Sequence, residues 1–177
     1  MADRELTGLL LVGGASTRFG SPKALATVDG ETLAQRAWKL LGEACSDRIA
    51  VGKSADELEL PFEILEDAGD VRAPLAGLVA GLRAARTEIV VAIPVDMPRL
   101  TVGSLHVLAD ACRDAAVPPT GPLPGAYRRS ALANLERYLD VGELRLRDAI
   151  AELDVVTVDL DASELANVNT PDDVRRL

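Results

Sequence analysis

The chain has 177 residues, 48% hydrophobic and 27% charged but only 3% aromatic. This is the composition of one water-soluble domain over 1–177, with a core of Leu, Val, Ile and Ala. With 28 acidic against 19 basic residues and a net charge of −9, an extended nucleic-acid groove or an anionic membrane surface is excluded as partner, whereas a small basic pocket for one nucleotide is not.

Leu6 to Val12 reads as a buried strand that stops at Gly13 and Gly14. Thr32 and Gln35 make a capping box, and Leu33, Ala37, Leu40, Leu41 and Ala44 then fall on one helical face. Arg48–Val51 and Phe62–Leu65 are short strand candidates. Pro74 opens a second helix carrying Leu75, Leu78, Val79 and Leu82, as suits proline in a first turn. Glu88–Val95 is the most hydrophobic strand, and a helix follows over Val102–Arg113. The Pro/Gly-rich segment Val117–Gly125 reads as a functional loop. Helices are expected over Ser130–Leu139 and Leu146–Leu153, and a strand over Val155–Leu160. Thr170, Pro171, Asp172 and Asp173 then form the capped start of a last short helix. Strands alternating with helices predict an α/β fold, a mostly parallel sheet covered on both faces.

Cys45 and Cys112 have no metal-binding spacing, so two reduced thiols are expected. The N-terminal MADRELTG lacks the layout of a signal peptide, and no apolar run reaches transmembrane length. A cytoplasmic location is therefore expected.

Chemistry concentrates after the first strand, in LLLVGGASTRFGSPKAL (Leu9–Leu25). Gly13, Gly14 and Gly20 allow backbone amides to form an anion-binding nest. Arg18 adds a planar fork for phosphate oxygens and Lys23 a mobile point charge. A Walker loop is excluded because Ser21, not lysine, follows Gly20; the dinucleotide fingerprint GxGxxG is also missing. The alternative is a glycine-rich turn with two solvated cations.

The pattern LxGGxSxRxGxxK resembles the signature of the molybdenum cofactor guanylyltransferases, the molybdopterin nucleotidyltransferase family. LEDAGDVRAPLAGL, IPVDMPRL, GPLPGAYRRSAL and VNTPDDV follow in the family's order, so the resemblance covers nearly the whole chain. It implies a doubly wound sheet of Rossmann type, like that of the nucleotide-diphospho-sugar transferases. It also implies transfer of GMP from GTP to molybdopterin or molybdenum-molybdopterin, with release of pyrophosphate. Other proteins of molybdenum cofactor biosynthesis or molybdoenzyme maturation are then candidate partners.

On that resemblance Arg18, Lys23 and Asp96 are the catalytic candidates. Leu11, Val12, Gly13, Gly14, Lys23, Gly52, Asp67 and Asp96 surround the nucleotide, with the amides of Leu11 to Gly14 on the triphosphate. Asp96 ends a buried strand, where a carboxylate needs a cation or donors, and Mg²⁺ on Asp96 answers that need. Its alternative is a cap on the following turn. Asp67 is either the nucleotide-binding aspartate or a turn residue. Asn169 is either a second arm near the metal or an asparagine turn. Arg145 and Arg147 are expected to be solvated. His106, the single histidine, reads as structural, so a mechanism through histidine has no second candidate. Direct in-line transfer needs none.

Two departures from the family pattern stand out. Val71-Arg72-Ala73 replaces the glycine usual before PLAGL, and Gly52 replaces a common asparagine. Backbone groups near Gly52 and the segment Glu66–Pro74 are thus expected to read the base. The rival enzymatic readings are a cytidylyltransferase on the same pterin and a nucleotidyltransferase on another phosphorylated acceptor. A non-catalytic module binding nucleotide or molybdenum cofactor, and an NAD-dependent oxidoreductase, come from other classes.

Overall fold

A computed structural model describes residues 5–13, 22–53, 58–67 and 72–176. Gly14, Arg18 and Gly20 of the glycine-rich segment lie outside the described residues. The chain runs through β1 (Leu6–Leu11), a small hairpin of β2 (Thr27–Val28) and β3 (Glu31–Thr32), α1 (Leu33–Ala44), β4 (Asp47–Gly52) and β5 (Ile64–Glu66). It continues with α2 (Pro74–Ala84), β6 (Ile89–Pro94), α3 (Val102–Ala111), β7 (Ala115–Val117) and β8 (Gly125–Arg128). The last elements are α4 (Leu132–Asp140), α5 (Leu146–Ile150), β9 (Val155–Thr157) and α6 (Pro171–Arg175).

Seven strands form one sheet in the order β5-β4-β1-β6-β8-β7-β9. β5, β4, β1 and β6 are mutually parallel, and β8 runs antiparallel to both its neighbours. From the central β1 the chain first builds outward to β4 and β5, then crosses back to place β6 on the other side. That reversal opens a crevice beyond the carboxyl ends of β1 and β6, where open α/β sheets bind ligands.

Alternation along the strands divides the core in two. Leu6, Leu10 and Val12 face the layer of α1 and α3 together with Ile89, Val91 and Ile93. Leu9 and Leu11 face α2, α4 and α5 together with Val90 and Ala92. Each face is apolar because each is covered, as a parallel sheet requires.

The helices start where their side chains cap them. Thr32 Oγ1 accepts from the Gln35 amide and Gln35 Oε1 from the Thr32 amide, at 3.1 and 2.9 Å. α1 then buries Leu33, Ala34, Leu41 and Ala44, with Ala37 and Leu40 half-covered on the same side. α2 starts at Pro74 and lays Gly77 and Gly81 against β1. A Cβ on Gly81 would stand 2.4 Å from Leu9 Cδ2, so helix and strand pack at a distance only glycine permits.

The expected parallel core is present, but several elements depart from the sequence reading, among them α5 and β9, which end at Ile150 and Thr157 rather than Leu153 and Leu160. Asp29 and Gly30 both have positive φ, 51° and 84°, and turn the β2–β3 hairpin. β7 and β8 flank the Pro/Gly-rich loop and widen the sheet, where the sequence reading had only loop and helix. Phe62 is not a strand residue; β5 starts at Ile64, and Phe62 stacks on Trp38 with ring centroids 4.3 Å apart. Cys45 is half-buried and Cys112 buried, and no disulfide joins them. No helix among the described residues is long and apolar enough to cross a membrane.

Candidate active site

β1 and β6 end side by side, Leu11 in register with Pro94, and the residues beyond them form one wall of a cleft of about 360 Å³. Leu11, Val12, Gly13, Lys23, Gly52, Asp67 and Asp96 all line it. Seven described positions singled out from the sequence thus converge on one cavity.

Lys23 reaches the cleft from a short 3-10 turn over Lys23–Leu25. Its Nζ donates to Asp96 Oδ2 at 3.1 Å and to Asn169 Oδ1 at 2.9 Å. These partners lie 73 and 146 residues away in sequence. Asn169 is brought there by two backbone-level devices. The Val168 amide donates to the Asp96 carbonyl at 2.8 Å, which docks the segment before α6 against the end of β6. Asp173 Oδ2 accepts from the amides of Asn169 and Thr170 at 3.0 and 2.8 Å, while the Asp173 amide donates to Thr170 Oγ1. Those hydrogen bonds, that from the Asn169 amide foremost, hold the Asp173 carboxyl below its ordinary value. The Asn169 side chain thus meets Lys23 rather than forming an asparagine turn, and only its backbone amide joins the helix cap.

The opposite wall belongs to β4, β5 and α2. Lys53, immediately after β4, forms an ion pair with Asp67 Oδ1, and both side chains are over nine-tenths buried. The Asp67 amide donates to the Gly52 carbonyl at 3.2 Å and extends the β4–β5 ladder by one residue. Gly52 has no room for a side chain with Val12 where it stands, because a Cβ would lie 2.6 Å from Val12 Cγ2. Arg72, Ala73, Pro74 and Gly77 complete this side.

Lys53 and Asp173 were not singled out from the sequence. The isolated cation after a β-strand gave no pattern to read, and Asp173 read only as an acidic first-turn residue. Arg72 belongs to the stretch Val71-Arg72-Ala73 that replaces the family's usual glycine, and it lines the cleft with Ala73. The Val12 amide, expected on the phosphates, instead donates to Val51 O at 2.9 Å, so it serves the sheet. Leu123 of the Pro/Gly-rich loop lines the cleft, and Arg147 donates to Thr120 O of that loop at 3.4 Å from an exposed position. His106 is structural: its Nε2 meets the Ala44 carbonyl at 2.9 Å, at the last turn of α1.

Among the described residues three cations, Lys23, Lys53 and Arg72, face two carboxylates, Asp67 and Asp96, across this cleft. A chain of net charge −9 has thus gathered a local excess of positive charge where a polyanion would enter. No group of three or more His, Cys, Asp or Glu side chains among the described residues could by itself hold a metal. Asp96 and Asn169 nonetheless supply one carboxylate and one carbonyl oxygen on the same point, a hard-oxygen pair of the kind Mg²⁺ takes up together with substrate phosphates.

Residues 8–156 match the family of the MobA-like NTP transferase domain. The chain belongs to this family. A "Probable molybdenum cofactor guanylyltransferase" of Chloroflexus aggregans is 34% identical, over 96% of this chain and 92% of the relative. A "Molybdenum cofactor guanylyltransferase" of Burkholderia vietnamiensis is 37% identical, over 94% and 92%. Among solved structures, molybdopterin-guanine dinucleotide biosynthesis protein A from Archaeoglobus fulgidus superimposes with a TM-score of 0.81 at 26% identity, over 96% of this chain and 95% of that one. The 2-C-methyl-D-erythritol 4-phosphate cytidylyltransferase of Thermus thermophilus shares the fold with a TM-score of 0.73 at 21% identity, over 97% and 96%. The MobA-like chain described here is thus a nucleotidyltransferase with the nucleotide-diphospho-sugar-transferase fold.

Proposed function

We propose that residues 1–177 form a single, cytoplasmic nucleotidyltransferase domain that moves GMP from GTP to the terminal phosphate of molybdopterin or its molybdenum-loaded form. The observation that carries this reading is the meeting of Lys23, Asp96 and Asn169 at the switch-point cleft. An acceptor phosphate oxygen attacks the α-phosphorus, a new phosphoanhydride forms, and the α–β bond breaks to release pyrophosphate. The nucleophile is already an anion, so no general base is needed. The work is positioning and charge neutralisation.

Lys23, positioned by Asp96 and Asn169, donates to phosphate oxygens of GTP. Arg18, outside the described residues, is proposed as the second cation on the triphosphate, with the amides around Gly13 and Gly14 completing the cradle. Asp96 and Asn169 are the residues that would hold a divalent cation, as the nucleotidyltransferase family generally uses, and we propose Mg²⁺. Such an ion supplies charge neutralisation at the phosphates. Asp67 lies on the far wall, on the side of the base and ribose.

A pyrophosphate-release assay with molybdopterin and each of the four NTPs tests this. GTP is expected to give the highest kcat/KM. A higher value with CTP would move the chain to the cytidylyl alternative, and no release with any NTP would overturn transfer altogether.

A further inference from the structure

Lys53 and Asp67 form a buried pair that phosphate handling does not use. They follow β4 and β5, and β4 is two strands from β6 in the sheet, so the pair and Asp96 stand at strand ends separated by about 10 Å or more. That interval leaves room for a sugar between phosphates at one end and a base at the other.

The wall at this end offers few other groups. Gly52 contributes only backbone, its position closed by Val12 and by Ile64 Cγ2 at 3.2 Å from a Cβ, and its carbonyl already accepts from Asp67. The expected reading of the base by the Gly52 backbone is therefore weakly supplied. Asp67 Oδ1 is buried against the Lys53 ammonium. A buried ion pair contributes little net stability compared with apolar residues of like volume. Lining a ligand cleft, it supplies a donor beside an acceptor in fixed register.

Guanine presents that pattern in reverse: O6 accepts, while the adjacent N1–H and N2–H₂ donate. We propose that Lys53 is the specificity-determining residue for the donor base, its ammonium donating to O6 while Asp67 accepts from the neighbouring N–H groups. This rests on the GTP reading above. Cytosine turns an N3 lone pair toward the carboxylate in the same pose, and a polar mismatch in a buried site discriminates strongly.

The test compares wild type, Lys53→Met and Lys53→Arg in pyrophosphate release with GTP and CTP, with melting curves as a control for folding. Wild type is expected to prefer GTP. Lys53→Met is expected to cut the GTP:CTP ratio of kcat/KM by about tenfold or more, and Lys53→Arg to restore most of it. Equal losses on both nucleotides would make Lys53 a structural partner of Asp67 and overturn the proposal while leaving the GTP reading intact. A wild type without preference for GTP would overturn both. Should Lys53→Met fail to fold, the wild type alone decides through equilibrium binding of 6-thio-GTP, whose sulfur is a weak acceptor. Binding about tenfold weaker than GTP is expected, and equal binding would refute the assignment.

Discussion

Gly77 and Gly81 lie one turn apart on α2, and alanine at each should have opposite consequences. At Gly81 the new Cβ would stand 2.4 and 2.5 Å from the two methyls of Leu9, which is fully buried with neighbours on every side. Overpacking of that kind costs about 1–3 kcal/mol. Replacing a mid-helix glycine by alanine returns about 1 kcal/mol of helix propensity. The packing term dominates, since Leu9 has nowhere to move, and the net loss for Gly81→Ala is about 1–2 kcal/mol. For a chain of this length that lowers Tm by about 3–6 °C. At Gly77 the closest atom is Leu11 Cδ2 at 2.8 Å, with the next, Val51 Cγ1, at 3.7 Å. Leu11 borders the cleft and can swing into it, so propensity and packing nearly cancel and stability changes by about 0.5 kcal/mol or less. The displaced side chain then narrows the cleft, and nucleotide affinity should fall several-fold while the protein stays folded. Urea unfolding with a common m-value, together with GTP titration of both variants, makes the comparison. A Gly81→Ala variant as stable as wild type, or a Gly77→Ala variant that loses stability and keeps its affinity, would refute the reasoning.

Three further outcomes are expected at the site, and one at a half-buried thiol. Asp96→Asn should keep the fold and lose divalent-metal-dependent turnover, because the amide is nearly isosteric but uncharged; near-normal rates at limiting metal would remove Asp96 from that role. Lys23→Ala should lower turnover by about a hundredfold, the scale of losing one donor to transition-state charge, and single-turnover kinetics would show whether the loss lies in chemistry. Asp173, with a native value below its ordinary 3.8, contributes stability that is complete above that value and is lost as pH falls through the lowered native one. Asp173→Ala should accordingly lower stability slightly at neutral pH, flatten the acid limb of the stability profile and reduce kcat. Cys45, whose thiol burial pushes up to about 12, should alkylate about a thousandfold more slowly than an ordinary cysteine at pH 8, which timed iodoacetamide labelling measures.

Much of the site was legible because its residues sit at strand ends, where a polar side chain after a buried run has few structural reasons to be there. Asp96 after EIVVAIPV is the clearest case, and Asp67 after a shorter run is the next. The parallel half of the sheet was equally readable, since Leu6–Val12 and Glu88–Val95 are apolar on both faces. β7 and β8 were not: Ala115-Ala116-Val117 and Gly125-Ala126-Tyr127-Arg128 are too short to show a period, and they are strands through their partners, β8 on the edge of β6 and β7 between β8 and β9. The β2–β3 hairpin did carry a signal in Asp29-Gly30, which the sequence reading passed over. Lys53 could not have been found from spacing. Its pairing with Asp67 joins the ends of the adjacent strands β4 and β5, a relation of the third dimension.

The clip between Val168 and Asp96, and the arm that Asn169 extends to Lys23, span 72 and 146 residues. Contacts of such separation close late, because the entropy of the intervening chain must first be overcome by the core. A chain emerging from the ribosome can therefore complete β1, β4 and β6 and assemble both walls of the cleft while Lys23 still has Asp96 as partner but not Asn169. The triangle is closed only by residues synthesised after every strand of the sheet. The Asn169 arm is thus the part of the cleft that the ribosome delivers last.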